Sequence, residues 1–498
     1  MQSTDGRLKL TAISRVVGEI LCNRLARNLK GVFMVATVAL LATGTASRLK
    51  AQTATDPGVR GGPPGAGQFI AGLDSDQQGT EQEVSLIFKE VNRVAGGNVI
   101  KEIGLGGPFD SNGCAACHAQ PAPGGSSLAS NPLFGVYQLM GATNIMPVFE
   151  TTNGPTVVAR FPYQSDLKTP NGLVQQLFTI TGRSDAGTCN IPQPDFTLAM
   201  SQNNLILRQT TPAFGGGLLE IIQDSDILAN MNANLSQKLA LGISGHPNID
   251  ANDGSIDRFG WKAQTRSLMA FSAEAYLVEE GVSDEFTPNK LNESPGCTPP
   301  FPEGPPNGQG SKGVPDDRTS FPFPLSKATG AGFTGDPQRF AIFQRFLDQP
   351  KPGSCPGGNP ASCTNGETQF NNVGCVLCHT QSFTTPQSTV AALSNVQTNL
   401  YSDILVHHMG GCLADNVVQG SAMGDEFRTA PLWGVGQRVF FMHDGRTSNI
   451  VTAVEDHLST SSCPNSQYPP SEANAVVGNF NALSPTNQQD LINFLRSL

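Results

Sequence analysis

Residues 109–118 read Phe-Asp-Ser-Asn-Gly-Cys-Ala-Ala-Cys-His, and residues 370–379 read Phe-Asn-Asn-Val-Gly-Cys-Val-Leu-Cys-His. Two thiols three positions apart, with an imidazole directly after the second, suit one chemistry above others. The thiols add to porphyrin vinyl groups and the imidazole becomes the proximal ligand to iron. A structural zinc is the competing reading, but it needs four ligands, and no second Cys/His cluster lies within a few dozen residues of Cys114, Cys117 and His118. The shared flanks decide between them. A phenylalanine five residues before the first thiol can pack on a porphyrin edge, and a glycine lets backbone come close to it. The repeat therefore predicts two covalently bound haems c, one on Cys114, Cys117 and His118 and the other on Cys375, Cys378 and His379.

Short helices and long loops wrapped around a large flat cofactor would position such motifs. Only 14% of the 498 residues are charged, and 54 glycines and 36 prolines imply much loop. The expected fold is mainly α: two cytochrome c-like haem domains with long loops, in which the cofactors supply much of the apolar core. A net charge of -10 argues against a nucleic-acid partner. Arg24, Arg27 and Lys30 precede an apolar run from Val32 to Ala42, with Gly44 and Ala46 after it. This is the layout of a secretory signal, an uncleaved membrane anchor being the other reading. Covalent haem attachment takes place outside the bacterial cytoplasm, so a periplasmic location is expected. Beyond Cys22 and the four haem thiols remain Cys189, Cys297, Cys355, Cys363, Cys412 and Cys463. An even number in an oxidising compartment suggests up to three disulfides. Cys355 with Cys363 is the easiest pair, because Pro-Gly-Gly-Asn-Pro-Ala-Ser between them can turn back on itself.

The chain divides into an export segment (1–51), a Gly/Pro/Gln-rich flexible lead-in (52–78), a first haem domain with insertions (79–294), a Pro/Gly-rich connection (295–335) and a second haem domain (336–498). Val84 to Val94 carries a helical apolar stripe, and Phe340, Phe343 and Leu347 mark another helical face. Ser484-Pro485 reads as a helix cap and first-turn proline ahead of Leu491, Ile492, Leu495 and Leu498.

A second echo runs through the halves. Arg208 to Gly217 and Arg428 to Gly436 each place an Arg, a Thr and a Pro ahead of aromatic-Gly-x-Gly. Arg208 and Arg428 could reach haem propionates bidentately, while proline and glycines shape the loop; a turn without haem contact is the alternative. Of seven histidines, His407, His408, His443 and His457 lie within the last hundred residues, downstream of the second motif, and His246 is the remaining one outside the motifs.

Arg428 to Gly436, then Phe441-Met442-His443-Asp444-Gly445-Arg446, then Ala453 to His457, resemble the carboxy-terminal signature of the di-haem cytochrome c peroxidase superfamily. The nearest branch is that of the di-haem oxidoreductases, also labelled thiol oxidoreductases. Tyr401 to Gly410 is similar to that branch, with His408 where an Asp is usual, and Phe214 to Glu220 and Arg258 to Gln264 resemble it in the first half. The likeness runs from about residue 80 to the end. It implies that the residue fourteen positions after His443, which is His457, is the distal ligand of the second haem. Bis-histidine ligation by His379 and His457 would hold iron low-spin and closed to peroxide. It also implies an interdomain Ca2+ site.

Laying Phe214-Gly215 on Trp433-Gly434 puts Asp224 at the position of His443 and Lys238 at that of His457, so the first half lacks the second histidine. His118 then faces an open position or a residue from elsewhere. Glu220, His246, Trp261 and Gln264 are the candidates to supply a base and a donor there. The expected activity is a peroxidase-like oxidoreductase, the first haem reactive and the second relaying electrons, with peroxide or another small oxidant and a redox partner protein or small electron donor. An electron-transfer cytochrome without turnover, or an oxidative modifier of a partner protein, are the alternatives.

Overall fold

In the computed structural model the described residues are 54–92, 105–282, 284 and 335–498, with the backbone of strands Pro322–Phe323 and Gly332–Phe333. The export segment, most of the connection and Cys297 lie outside them. The described residues belong to one compact unit, 54–498. None of their helices is long and apolar enough to cross a membrane.

Three helices build the wall beside the first motif. Helix Ser75–Phe88 starts earlier than its apolar stripe, because Asp74 and Gln77 form a reciprocal capping box. Phe88 at its end stacks on Phe343 with ring centroids 4.1 Å apart, and Phe343 belongs to helix Asp336–Phe346, whose proline sits in the first turn. Helix Leu268–Glu280 is capped by Ser267, ends at the left-handed Gly281, and sets Tyr276 against Phe340 at 5.1 Å. In the second half helix Pro360–Val373 lies along the closing helix Pro485–Ser497. Ser484 caps that helix, and Leu491, Ile492, Leu495 and Leu498 are buried, as their stripe requires. A Cβ at Gly366 would stand 2.0 Å from the Asp490 carbonyl, so only glycine permits this close crossing.

The expectation of a mainly α fold is corrected. Of the described residues 34% are helical and 10% strand, with several small sheets. Val157–Arg160 is the centre of a three-stranded antiparallel sheet with Val174–Gln175 and Ile206–Gln209, and Val406–His408 pairs with Glu426–Arg428. The long Gly/Pro-rich loops run antiparallel to one another, and pairing over two to four residues satisfies buried backbone groups without a helix. Residues 54–74 are laid along other elements: Asp56 pairs with Arg496 at 2.6 Å, and the Ile70 amide donates to the Phe346 carbonyl. Cys355–Cys363 is bridged, as its turn sequence suggested, and so is Cys412–Cys463.

Candidate functional site: two Cys-x-x-Cys-His centres

Every other described cysteine is disulfide-bonded, whereas Cys114, Cys117, Cys375 and Cys378 stay free although each pair is only three residues apart. Burial pushes the thiols of Cys114, Cys117 and Cys375 up, with Glu280 adding to the shift of Cys114 and Glu279 to that of Cys117. Cys114, Cys117 and His118 line a partly open cleft. Phe88, Leu133, Val157, Tyr276 and Phe340 share that lining. Burial holds His118 down at about 4, so it is neutral, and its buried Nδ1 has no hydrogen-bond partner. The aromatic that meets it is Phe88, edge-on at 6.2 Å, while Phe109 packs on Phe178. Gly113 is required for a different approach from the one expected: a Cβ there would meet the Glu90 carbonyl at 2.4 Å.

The second centre is built on paired imidazoles. His379 gives its Nδ1 to the Tyr401 carbonyl at 3.0 Å, and His457 gives its Nδ1 to the Ala453 carbonyl at 2.7 Å. Each therefore keeps Nε2 for a metal, the arrangement of ligating histidines whose other nitrogen is held by a carbonyl. Burial lowers both, His379 to about 4, and His457 lies near enough to add to the lowering of His379. Phe370 touches His379 at 6.3 Å. Cys375, Cys378, Tyr401, Met442 and Val454 pack on one apolar cluster with Phe370 and Phe441. His407 bonds Asp403 at 2.9 Å and Glu472 at 2.7 Å. Burial opposes its charge, but Cys378 and Asp403 outweigh burial and hold its pKa well above the usual value.

The internal echo has the same local form twice. Arg208 and Arg428 each sit in a short antiparallel strand, and Gly215 and Gly434 both turn the chain with φ near +70° (66° and 70°). The copies meet: a Cβ at Gly215 would stand 2.5 Å from the Trp433 ring. Trp261 lies between them, its indole N–H on the Gln209 carbonyl at 2.9 Å and its own carbonyl accepting from the Arg428 amide at 2.8 Å. Here the two arginines part company. Arg208 is bound by Asp415 at 2.6 Å. Arg428, with Arg438, lines a second cavity that also holds His118, Trp261 and Trp433. Burial lowers both of these guanidiniums to about 10, yet both stay cationic. Among the described residues neither has a carboxylate partner, and Arg428 Nη1 and Arg438 Nε are buried without an acceptor. Uncompensated buried cations of this kind call for anions such as propionates.

Of the four candidates for the position facing His118, the structure brings Trp261 and Gln264 to the cleft. Glu220 is instead held by Arg345 at 2.6 and 3.0 Å and caps the Leu268 amide. His246 is bound to Glu426 at 2.9 Å. Asp224 and Lys238, the echo positions, are taken by Arg258 and by the Asn230 and Met231 carbonyls. Sequence reasoning missed the acids of the cleft, Asp110, Glu274, Glu279 and Glu280, and Arg160 and Arg438. Burial, then Glu280 and Glu274, push Glu279 up to about 8, while burial lowers Arg160 to about 10. A signal existed for Glu280 alone, which falls on the buried stripe of Ala273, Tyr276 and Leu277.

His443 gives a pH prediction. It stacks on Phe427 at 4.2 Å, is 6% exposed, and burial lowers it to about 4. A depressed histidine contributes stability that is fully present above its unfolded pKa of about 6.5 and is lost as pH falls toward 4. Between pH 7 and pH 4.5 its share of the loss is about 2 to 3 kcal/mol. Denaturant unfolding of the haem-loaded protein at both pH values should show that difference shrinking by this amount in His443→Phe; an unchanged difference refutes the assignment.

A profile of the family described as "Di-haem oxidoreductase, putative peroxidase" matches residues 159–299 and 355–498. No curated protein matches. Among solved structures, a Kuenenia stuttgartiensis hydrazine synthase pressurized with xenon aligns with 38% of this chain and 63% of its own, at 16% identity and a TM-score of 0.21. A MauG-like protein associated with microbial copper homeostasis aligns with 57% of this chain and 89% of its own, at 14% identity and a TM-score of 0.29. The alignment thus spans less than two thirds of the hydrazine synthase chain, and superpositions this loose carry no argument about the site. The profile matches are of another kind: they take in more than half of the chain, including Cys375, Cys378, His379 and His457, and the chain belongs to the di-haem oxidoreductase family, whose cofactors are haems.

Proposed function

We propose that this is a periplasmic, peroxidase-like oxidoreductase with two covalently bound haems c, reactive at Cys114/Cys117/His118 and relaying electrons through the centre at Cys375/Cys378/His379. The observation that carries the reading is the asymmetry of the centres. His379 has a second buried imidazole, His457, beside it, whereas the cleft around His118 is lined by Asp110, Arg160, Trp261, Gln264, Glu274 and Glu279, with no second histidine among its described residues.

When bound, the two haems supply the two electrons that reduction of a peroxide requires, and the donor that restores them is a redox protein or small reductant. The residues of the chain do the rest. His118, His379 and His457 present neutral imidazole nitrogens. Arg428 and Arg438 hold anionic groups at the cavity they line with His118. Glu279, protonated at neutral pH, can give its carboxyl proton to a leaving oxygen and recover it from water, and Arg160 stays cationic to steady developing negative charge. The N-terminal basic and apolar segment supports export.

The resting haem-loaded protein should show one high-spin and one low-spin ferric signal and consume peroxide with a reduced donor. Glu279→Gln should lower kcat by about 100-fold with both signals intact. Two low-spin irons inert to peroxide even after half-reduction would instead mark an electron carrier and end this reading.

A further inference from the structure

Beside the second centre, three ionisable side chains are joined in a way that haem binding itself does not use. The His407 ring gives Nδ1 to a Glu472 oxygen at 2.7 Å and Nε2 to an Asp403 oxygen at 2.9 Å. All three are buried, the side chains of His407, Asp403 and Glu472 being 4%, 0% and 6% exposed. A Cβ at Gly245 would stand 2.1 Å from the ring, so backbone closes over it. Each of the two contacts needs a proton between nitrogen and oxygen. The group therefore holds two protons and one net negative charge, whether the imidazole or a carboxyl carries the second proton. Burying such a group costs stability relative to apolar packing, so its charge calls for a reason. Glu472 could tie the neighbouring loops without that charge, through the Ser244 amide and hydroxyl and the His408 amide.

We propose that Asp403, His407 and Glu472 are positioning residues that lower the reduction potential of the second haem, which makes that centre the readier electron donor to the first. The proposal rests on the reading above, of a haem held by Cys375, Cys378 and His379. His407 Nδ1 lies 3.9 Å from Cys378 Sγ, the atom that would carry the thioether. The Asp403 amide donates to the Cys378 carbonyl at 2.8 Å. The charges also reach the proximal ligand: beneath burial, the Tyr401 carbonyl and His457, Asp403 favours and His407 opposes a charge on His379. One electron taken from the donor makes the haem one unit more negative, and a fixed negative charge beside its attachment point opposes that step. Lys238 is a cation within electrostatic reach of Asp403 and Cys378, its ammonium lying on the Asn230 and Met231 carbonyls at 2.7 and 3.2 Å. It stays in place in every variant below.

The test is a spectroelectrochemical titration of the haem-loaded full chain at about pH 5.5, below the ordinary histidine pKa of about 6.5, so that the imidazole keeps its charge in each variant. Asp403→Asn and Glu472→Gln each remove one negative charge. Each should shift the reduced-to-oxidised ratio of the low-spin haem at a given potential about tenfold toward reduced, a rise of about 59 mV. The double variant should rise further, while the first haem keeps its potential. Intact mass and the low-spin signal report that both haems remain. An unmoved potential in single and double variants that keep both haems would leave the three groups a structural tie and overturn the proposal. Unaltered protein without haem on Cys375 and Cys378 would bring down the reading on which it rests, an outcome that the mass separates from the other.

Discussion

Replacing His457 with glycine is expected to convert the low-spin signal of the second haem to high-spin while the signal of the first is unchanged, and added imidazole is expected to restore it. The side chain sits just beyond helix Ile450–Glu455, where Asn449 caps the first turn and the apolar Ile450, Val451 and Ala453 hold the helix in the core. Its Nδ1 is spent on the Ala453 carbonyl, so Nε2 is the atom left to act. His379, placed in the same way on the Tyr401 carbonyl, lies near enough for His457 to add to the lowering of its pKa. Glycine removes the ring and leaves room for a soluble imidazole. A histidine that merely packed there would change stability and not the spin state, and imidazole would rescue nothing. An unaltered low-spin signal would assign that position to another side chain; Met442 is a thioether on the same apolar cluster.

Replacing Cys114 and Cys117 together with alanine should leave one covalent haem per chain, read by intact mass and by the pyridine haemochrome. The low-spin signal of the second centre should survive. The reason is local: Cys375 and Cys378 lie against the cluster of Phe370, Val373 and the closing helix, whereas Cys114 and Cys117 lie against two other clusters, those of Phe88 and Phe343 and of Phe109 and Phe178. The first half should lose much of its resistance to denaturant, because Phe88, Leu133, Val157, Tyr276 and Phe340, which line its cleft beside the polar groups, would lose the apolar face of a bound haem. Two haems still attached after the double substitution would refute covalent attachment at these thiols.

Features carried by spacing alone were legible. The two Cys-x-x-Cys-His runs, the Cys355–Cys363 turn, the Ser484-Pro485 cap and the stripe ending at Leu498 are local, and short-range geometry suffices to read them. The fold class was not legible in the same way, because strands of two to four residues such as Glu426–Arg428 have no periodicity to detect and exist only where two loops meet. What the guanidiniums of Arg208 and Arg428 meet lies beyond their echo in a similar way. Identical neighbours along the chain give identical backbone, but Asp415, more than two hundred residues from Arg208, takes one guanidinium and leaves the other without a carboxylate.

By itself, then, the sequence determined which atoms can bind haem, since thiol and imidazole spacing is a property of the covalent chain. Tertiary structure decided what surrounds them. It sent Glu220 to Arg345 and His246 to Glu426, brought Glu279 and Arg160 to the cleft of His118, and set Arg438 beside Arg428. These are contacts between segments far apart in sequence, and the burial that shifts Glu279, Arg160, Arg428 and Arg438 exists only after the halves have closed on one another.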